Sequence, residues 1–78
     1  MSAAPVLHSE AAWKFGQRLA IRRREKRYTQ LSLGVAIGVD NKKVSRWECG
    51  EDLPRVQNLI ALCEVLGVSA DWLLGIER

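Results

Sequence analysis

The chain has 78 residues, with 12 Lys and Arg against 9 Asp and Glu and a hydrophobic fraction of 47%. This length accommodates one domain, and the composition is that of a folded globular protein rather than a disordered chain. No apolar run approaches the roughly 18 residues of a membrane span, and the N-terminus lacks the basic start and long apolar stretch of a secretory signal. We therefore expect a cytoplasmic protein that makes no use of a membrane.

The first predicted helix runs from about residue 10 to residue 26. Ser9 can cap its N-terminus, and Phe15 and Leu19 begin an apolar stripe at i, i+4. Residues 1–8 precede this helix, and we expect them to form a flexible arm. The domain is then expected to cover residues 9–78.

Charge is distributed unevenly along the chain. Residues 14–27 carry seven Lys or Arg against one acid, whereas residues 49–78 hold five acids against two bases. A one-sided basic surface indicates a polyanionic partner. Taken alone, however, such a run is also typical of a solvated helix face.

The second predicted helix covers about residues 30–37 and is apolar along one side. Thr29 can cap it, and Leu33, Ala36 and Ile37 recur at i, i+3, i+4. Gly38 follows, where the left-handed backbone that ends many helices is easiest for glycine. Gly34 lowers helix propensity by about 1 kcal/mol relative to alanine, which a close helix crossing would justify.

The third predicted helix covers about residues 41–48 and has sharply different sides. Asp40 can cap it, and Val44 and Trp47 point inward at i, i+3. The residues left for the outside are polar or basic, namely Asn41, Lys42, Lys43, Ser45 and Arg46. Two short helices joined by a tight turn, the second with a polar and basic face, can place that face in the major groove of DNA.

Two further helices are predicted after a loop. Pro54 suits a first helical turn, where its missing N–H is no loss. The fourth helix then spans about residues 55–66 and ends at Gly67, and the fifth spans about residues 70–74 between Ser69 and Gly75. The inward positions predicted for the fourth helix are Val56, Leu59, Cys63 and Leu66.

The segment from Thr29 to Gly50 resembles the helix-turn-helix of the Cro and lambdoid phage repressor group, the XRE-type family. Its motif is present as Thr29-Gln30, Leu33-Gly34, Gly38-Val39, Val44 and Glu48-Cys49-Gly50. The likeness extends over about residues 13–76, including Phe15 to Leu19, Pro54, Leu59, Leu62, residues 66–69 and residues 72–74. It implies an all-α, compact five-helix lambda-repressor-like DNA-binding domain whose helices 2 and 3 form the helix-turn-helix.

The resemblance also implies roles for individual residues. Gln30 matches a glutamine that binds a DNA phosphate, and helix N-termini favour such anions. Asn41, Lys42 and Arg46 match base-reading positions, since asparagine pairs with adenine and basic side chains pair with guanine. Either a base or a phosphate is open for Lys43, and Ser45 is expected to touch backbone at most.

An ion pair between Arg23 and Glu48 is implied in the same way, as a partly buried pair that holds the reading helix. Arg22 and Arg24 flank Arg23, so a shift in register would exchange the partner. Arg27 stands where the family usually has glycine, so this residue must accept a strained backbone or the turn must differ. We also expect Arg27 to lie near a DNA phosphate.

These features predict a sequence-specific transcription regulator that binds double-stranded DNA as a homodimer, since two half-sites about 34 Å apart raise affinity and specificity. The dimer contact is expected at Leu53, Arg55 and Ile76. Repression is the simplest output, with activation through polymerase as an alternative. An antitoxin that also regulates itself by binding a toxin, or the DNA-binding half of a longer repressor, are the other interpretations.

An enzyme is the least supported class. The single histidine, His8, falls in the predicted arm, and no nucleophile elbow or phosphate loop is present. Cys49 and Cys63 lie in no CxxC or Cys/His cluster, so we expect no metal or other cofactor.

Overall fold

Five α-helices make up residues 10–76, the part of the chain that the computed structural model describes. This confirms the all-α, five-helix fold. No described helix has both the length and the apolar character needed to cross a membrane. The predicted arm, residues 1–8, and the predicted cap Ser9 lie outside the described residues. The helices are α1 (Glu10–Glu25), α2 (Gln30–Ile37), α3 (Asn41–Glu48), α4 (Val56–Leu66) and α5 (Ala70–Leu74).

The ends of the short helices are set by local chemistry. Side-chain oxygens of Thr29, Asp40 and Ser69 accept from backbone N–H groups of the following helix at 2.9, 2.8 and 3.0 Å. These bonds satisfy donors that a helix start leaves unpaired. At the other ends α2, α4 and α5 stop at left-handed glycines, with φ of 82°, 67° and 74°. The predicted caps in this part of the chain are therefore confirmed.

The core joins all five helices behind α3. Helix α3 packs against α1 and α2, and α5 packs against α1 and α4. The fully buried large side chains are Phe15, Leu19, Leu33, Val44, Trp47, Leu62, Leu66 and Leu73. Each such residue contributes about 1.5–3 kcal/mol when it leaves water. Val44 and Trp47 thus fix the apolar side of α3 and leave its opposite side to solvent.

Two glycines let backbones approach closely around α3. A Cβ on Gly16 of α1 would lie 2.7 Å from the carbonyl oxygen of Glu48, and closer still to that of Trp47. A Cβ on Gly34 of α2 would lie 2.6 Å from the carbonyl oxygen of Val39 in the turn. The close approach predicted at Gly34 is confirmed, and its small size is required there.

Some inward assignments were wrong. Val56 is 72% exposed, because no described element covers that side of the first turn of α4. Ala36 is exposed because the buried side of α2 is formed by Leu33 and Gly34. Apolar residues surround the whole of α2, so periodicity alone could not select the side that faces the core.

Candidate nucleic-acid interface

The outer face of α3 presents a group of polar and basic side chains to solvent. Asn41, Lys42, Lys43 and Arg46 are exposed, and Ser45 is half-buried. The cap at Asp40 begins the helix at the position needed to place these residues on one rigid surface. The structure therefore brings together all five positions that the sequence analysis assigned to base or backbone contact on this helix.

Arg23 and Glu48 form a bidentate ion pair between α1 and the end of α3. The guanidinium donates from Nε to Oε2 at 2.6 Å and from Nη2 to Oε1 at 3.1 Å. Its Nη1 also donates to the Tyr28 carbonyl at 2.9 Å. Side-chain exposures of 10% for Arg23 and 8% for Glu48 show that both charges are largely shielded from water. The hydrogen bonds to Glu48 raise the pKa of Arg23 above its ordinary value, although burial acts in the opposite direction.

Gln30 is the third member of this network. Its side-chain Nε2 donates to Oε1 of Glu48 at 3.0 Å, so the first residue of α2 is linked to the last residue of α3. Sequence reasoning placed Gln30 at the DNA and Glu48 in the scaffold, and it missed the bond between them. Nothing in the local pattern indicates a contact across 18 residues, so tertiary structure was needed to find it.

The basic run on α1 belongs largely to the scaffold. Arg18 donates to the Trp72 carbonyl at 2.8 Å and lies over the Trp72 ring. Arg22 donates to the Leu66 carbonyl at 2.8 Å and pairs with Glu25 at 3.1 Å. These guanidiniums bond carbonyls near the ends of α4 and α5, where helices leave acceptors unpaired. The basic surface predicted from the whole run is therefore smaller than its charge count suggested.

The turn after α1 contains the strained residue that the missing glycine predicted. Arg27 has φ of 64°, the sole non-glycine in residues 10–76 with positive φ. Its N–H donates to the Arg24 carbonyl at 3.0 Å, and the Tyr28 N–H donates to the Arg23 carbonyl at 3.0 Å. The side chain is exposed. The prediction of a strained conformation is confirmed.

Replacing Arg27 with glycine should raise the free energy of unfolding by about 1 kcal/mol, because glycine adopts positive φ without the Cβ clash. Urea denaturation would measure the change. Lys26→Gly is the control, since Lys26 has no positive φ and glycine there should destabilise the protein. A loss of stability in Arg27→Gly would mean that side-chain contacts of Arg27 outweigh its backbone strain.

Apolar side chains are exposed at several places outside α3. Leu31 is 61% exposed and Val35 is 74% exposed, on a helix that contains no charged residue. Of the residues predicted at a dimer contact, Leu53 is 36% and Ile76 is 54% exposed, and Arg55 is also exposed. Within residues 10–76, no cluster of three or more His, Cys, Asp or Glu residues could hold a metal ion.

Comparison with known proteins identifies this arrangement. The family model described as helix-turn-helix matches residues 19–73. The transcriptional regulator DicA of Escherichia coli K12 is 41% identical over 59 residues, which cover 76% of this chain and 44% of DicA. Repressor protein C2 of Salmonella phage P22 is also 41% identical over 59 residues, covering 76% of this chain and 27% of C2.

A solved structure of the P22 c2 repressor with a synthetic operator shares the fold. The TM-score is 0.77 and the identity 38%, over 81% of this chain and 96% of that one. The matched region spans less than half the length of DicA or of C2. The likeness thus concerns the five-helix domain and its helix-turn-helix.

Proposed function

This chain belongs to the XRE-type helix-turn-helix family, and from this premise we propose that it is a sequence-specific, DNA-binding transcription regulator. It acts as a homodimeric repressor or autoregulator that reads a palindromic operator in the major groove. The observation that carries the proposal is the outer face of α3, where Lys42, Lys43 and Arg46 are exposed on a helix fixed by buried Val44 and Trp47.

The residues on α3 divide by the chemistry of their side chains. Arg46 and Lys42 can pair with O6 and N7 of guanine, and Asn41 can form two hydrogen bonds with adenine. Lys43 serves either a base or a phosphate, and Ser45 serves the backbone. The rigid mounting of α3 supports base reading, because a helix must keep one angle in the groove for these bonds to form together.

Phosphate contacts position the domain without reading sequence. Gln30 sits in the first turn of α2, where backbone N–H groups attract an anion. One of its amide hydrogens is held by Glu48, which leaves the second for a phosphate oxygen. Arg27 adds an exposed positive charge in the turn just before α2.

Two copies are needed for a full operator, since one reading helix covers only a few base pairs. The exposed residues Leu53, Arg55 and Ile76 are our candidates for the dimer contact. Half-sites about 34 Å apart would then present both α3 helices to the same side of the duplex. The partners of this protein are thus double-stranded DNA and a second copy of the chain.

A second candidate function includes a protein partner such as a toxin or polymerase. Its support is the uncharged α2, on which Leu31 and Val35 share one exposed side at i, i+4. Depletion of charge is typical of interface centres. The longer relatives support a related possibility, that this domain is the DNA-binding half of a longer repressor.

The first test is binding of the purified protein to its own upstream DNA, followed by fluorescence anisotropy across a salt titration. A random duplex of equal length is the control. We expect affinity for the upstream duplex about a thousand-fold above that for the random one. Equal and steeply salt-dependent binding to both would leave only the electrostatic contribution and contradict sequence-specific recognition at that DNA.

Arg46→Ala should weaken binding to the specific duplex by about 10–100-fold, because one base contact is lost. It should change binding to random DNA far less. Lys26→Ala, which removes an exposed charge outside α3, is the matched control for net charge. If Arg46→Ala weakened both duplexes equally, Arg46 would be a phosphate contact instead of a base reader.

A further inference from the structure

We infer that Trp47 has a second role beside core packing: its indole N–H donates to a DNA backbone phosphate bound in the cleft between α3 and the start of α4. This inference rests on the proposed function, because it assigns a further contact in the same DNA complex. The cleft has a volume of about 290 Å³. Its walls are Lys43 and Trp47 of α3, residues 52–55 of the loop, and Asn58 of α4.

The starting observation is a buried donor without an acceptor. Trp47 is 1% exposed, and its Nε1 is the one buried side-chain N or O in residues 10–76 that makes no hydrogen bond. Folded proteins pair nearly all such groups, so an exception calls for an explanation. A ligand that enters the cleft and accepts from this nitrogen would supply the missing partner.

The other groups around the cleft favour an anion. Helix α4 has 11 residues and begins at Arg55 without a side-chain cap, and its first turn contains no acid. Its N-terminal N–H groups therefore remain available to a phosphate, unlike those of α2, α3 and α5, which side chains cap. An uncapped helix start attracts anions through these donors and the helix dipole.

The net charge of the wall points in the same direction. Lys43 and Arg55 supply two cations, and no ion pair joins either of them to Asp52 in the described part of the chain. The Asp52 carboxylate is the opposing charge, and its Oδ1 accepts from the Leu53 N–H at 2.9 Å. Two positive groups and a helix N-terminus thus face one carboxylate that is already hydrogen-bonded to backbone.

The position of the cleft relative to α3 identifies the anion as a DNA phosphate. Lys43 and Trp47 are four residues apart and lie on one flank of α3, since a helix turns 100° per residue. Glu48, which bonds Gln30, lies on the other flank. A helix in the major groove has one phosphate strand on each side. Gln30 would then meet one strand, and the Trp47 cleft the other.

Binding at this cleft requires a small rearrangement. The indole nitrogen is itself covered, so a phosphate oxygen reaches it only after a side chain of the wall moves aside. Lys43, Leu53 and Arg55 are exposed residues with several rotatable bonds. A shift of one such side chain changes no helix position, so the helix-turn-helix remains intact while the contact forms.

The test is the NMR signal of the Trp47 indole N–H in the wild-type protein, with the duplex that binds in the anisotropy assay. We expect this proton to move downfield and to exchange more slowly with solvent in the complex, whereas the Trp13 indole proton, on a side chain 56% exposed, should change less. An unmoved Trp47 signal in a protein that binds the duplex would overturn this inference alone. Absence of binding would instead overturn the proposed function with it.

Trp47→Phe removes the donor and keeps an aromatic ring in the core. We expect it to weaken duplex binding by about 10-fold, equally for specific and random DNA, because a phosphate carries no sequence information. Trp13→Phe is the matched control. Inorganic phosphate alone separates the two sources of the anion: a shift of the indole proton with millimolar phosphate, but none with the duplex, would assign the cleft to a free anion and contradict the DNA contact.

Discussion

Glu48→Ala should lower the free energy of unfolding by about 3–5 kcal/mol, which is the cost of leaving a buried charge without its partner. Arg23 would keep its charge at all ordinary pH values, and its one remaining described acceptor would be the Tyr28 carbonyl. Gln30 would lose its bond to Glu48 at the same time. A domain of this size has little stability to spare, so the variant should be largely unfolded near body temperature.

Thermal and urea denaturation followed by circular dichroism would measure this effect. Glu51→Ala is the control, because Glu51 is an exposed carboxylate three residues further along with no printed side-chain bond among the described residues, and it should stay within about 0.5 kcal/mol of wild type. Glu48→Gln separates charge from shape, since it retains the length of the side chain. A Glu48→Ala protein as stable as the control would show that water reaches Arg23 readily and that the pair does not brace α3.

Gly16→Ala is the second substitution for which we expect a large effect. In an isolated helix alanine is favoured over glycine by about 1 kcal/mol, yet here the added Cβ would press on the carbonyl oxygens of Trp47 and Glu48. Both contacts are backbone atoms, so relief requires that α1 and α3 move apart. Overpacking of this kind costs about 1–3 kcal/mol net, and the movement would change the angle of α3.

Two measurements together identify this mechanism. The melting temperature should fall, and specific DNA binding should weaken more than the lost stability explains, because the folded molecules carry a displaced reading helix. Gln17→Ala, at the next and exposed position of α1, should show neither change. If Gly16→Ala raised the melting temperature instead, helix propensity would dominate, and the gap between α1 and α3 would be wider than the structure indicates.

Local rules account for the helices and for much of the candidate site. Thr29, Asp40 and Ser69 cap helices because their short side chains reach the backbone N–H groups two or three residues ahead. Such contacts span a few residues, so a sequence window contains all the atoms that take part. The same holds for the polar and basic face of α3, which follows from the position of Val44 and Trp47 alone.

Long-range pairing is where sequence reasoning was incomplete. The arginines of α1 look equivalent in the sequence, yet Arg18 and Arg22 bond carbonyls at positions 72 and 66. The family resemblance implied that Arg23 pairs with Glu48, but a helical pattern could not distinguish it from its neighbours. Which arginine faces which carbonyl depends on how α1 is rotated against α4 and α5, and that rotation is set by packing.

The sequence by itself determined the helix-turn-helix, its capped ends, the strained turn at Arg27 and the exposed face of α3, because each depends on residues within about one or two turns of one another. The tertiary structure alone decided the contact of Gln30 with Glu48, the internal bonds of the basic run and the cleft beside Trp47. These features join residues 18 to 54 positions apart or arise from the space left between helices. Their formation depends on the packed positions of whole helices, which no local pattern encodes.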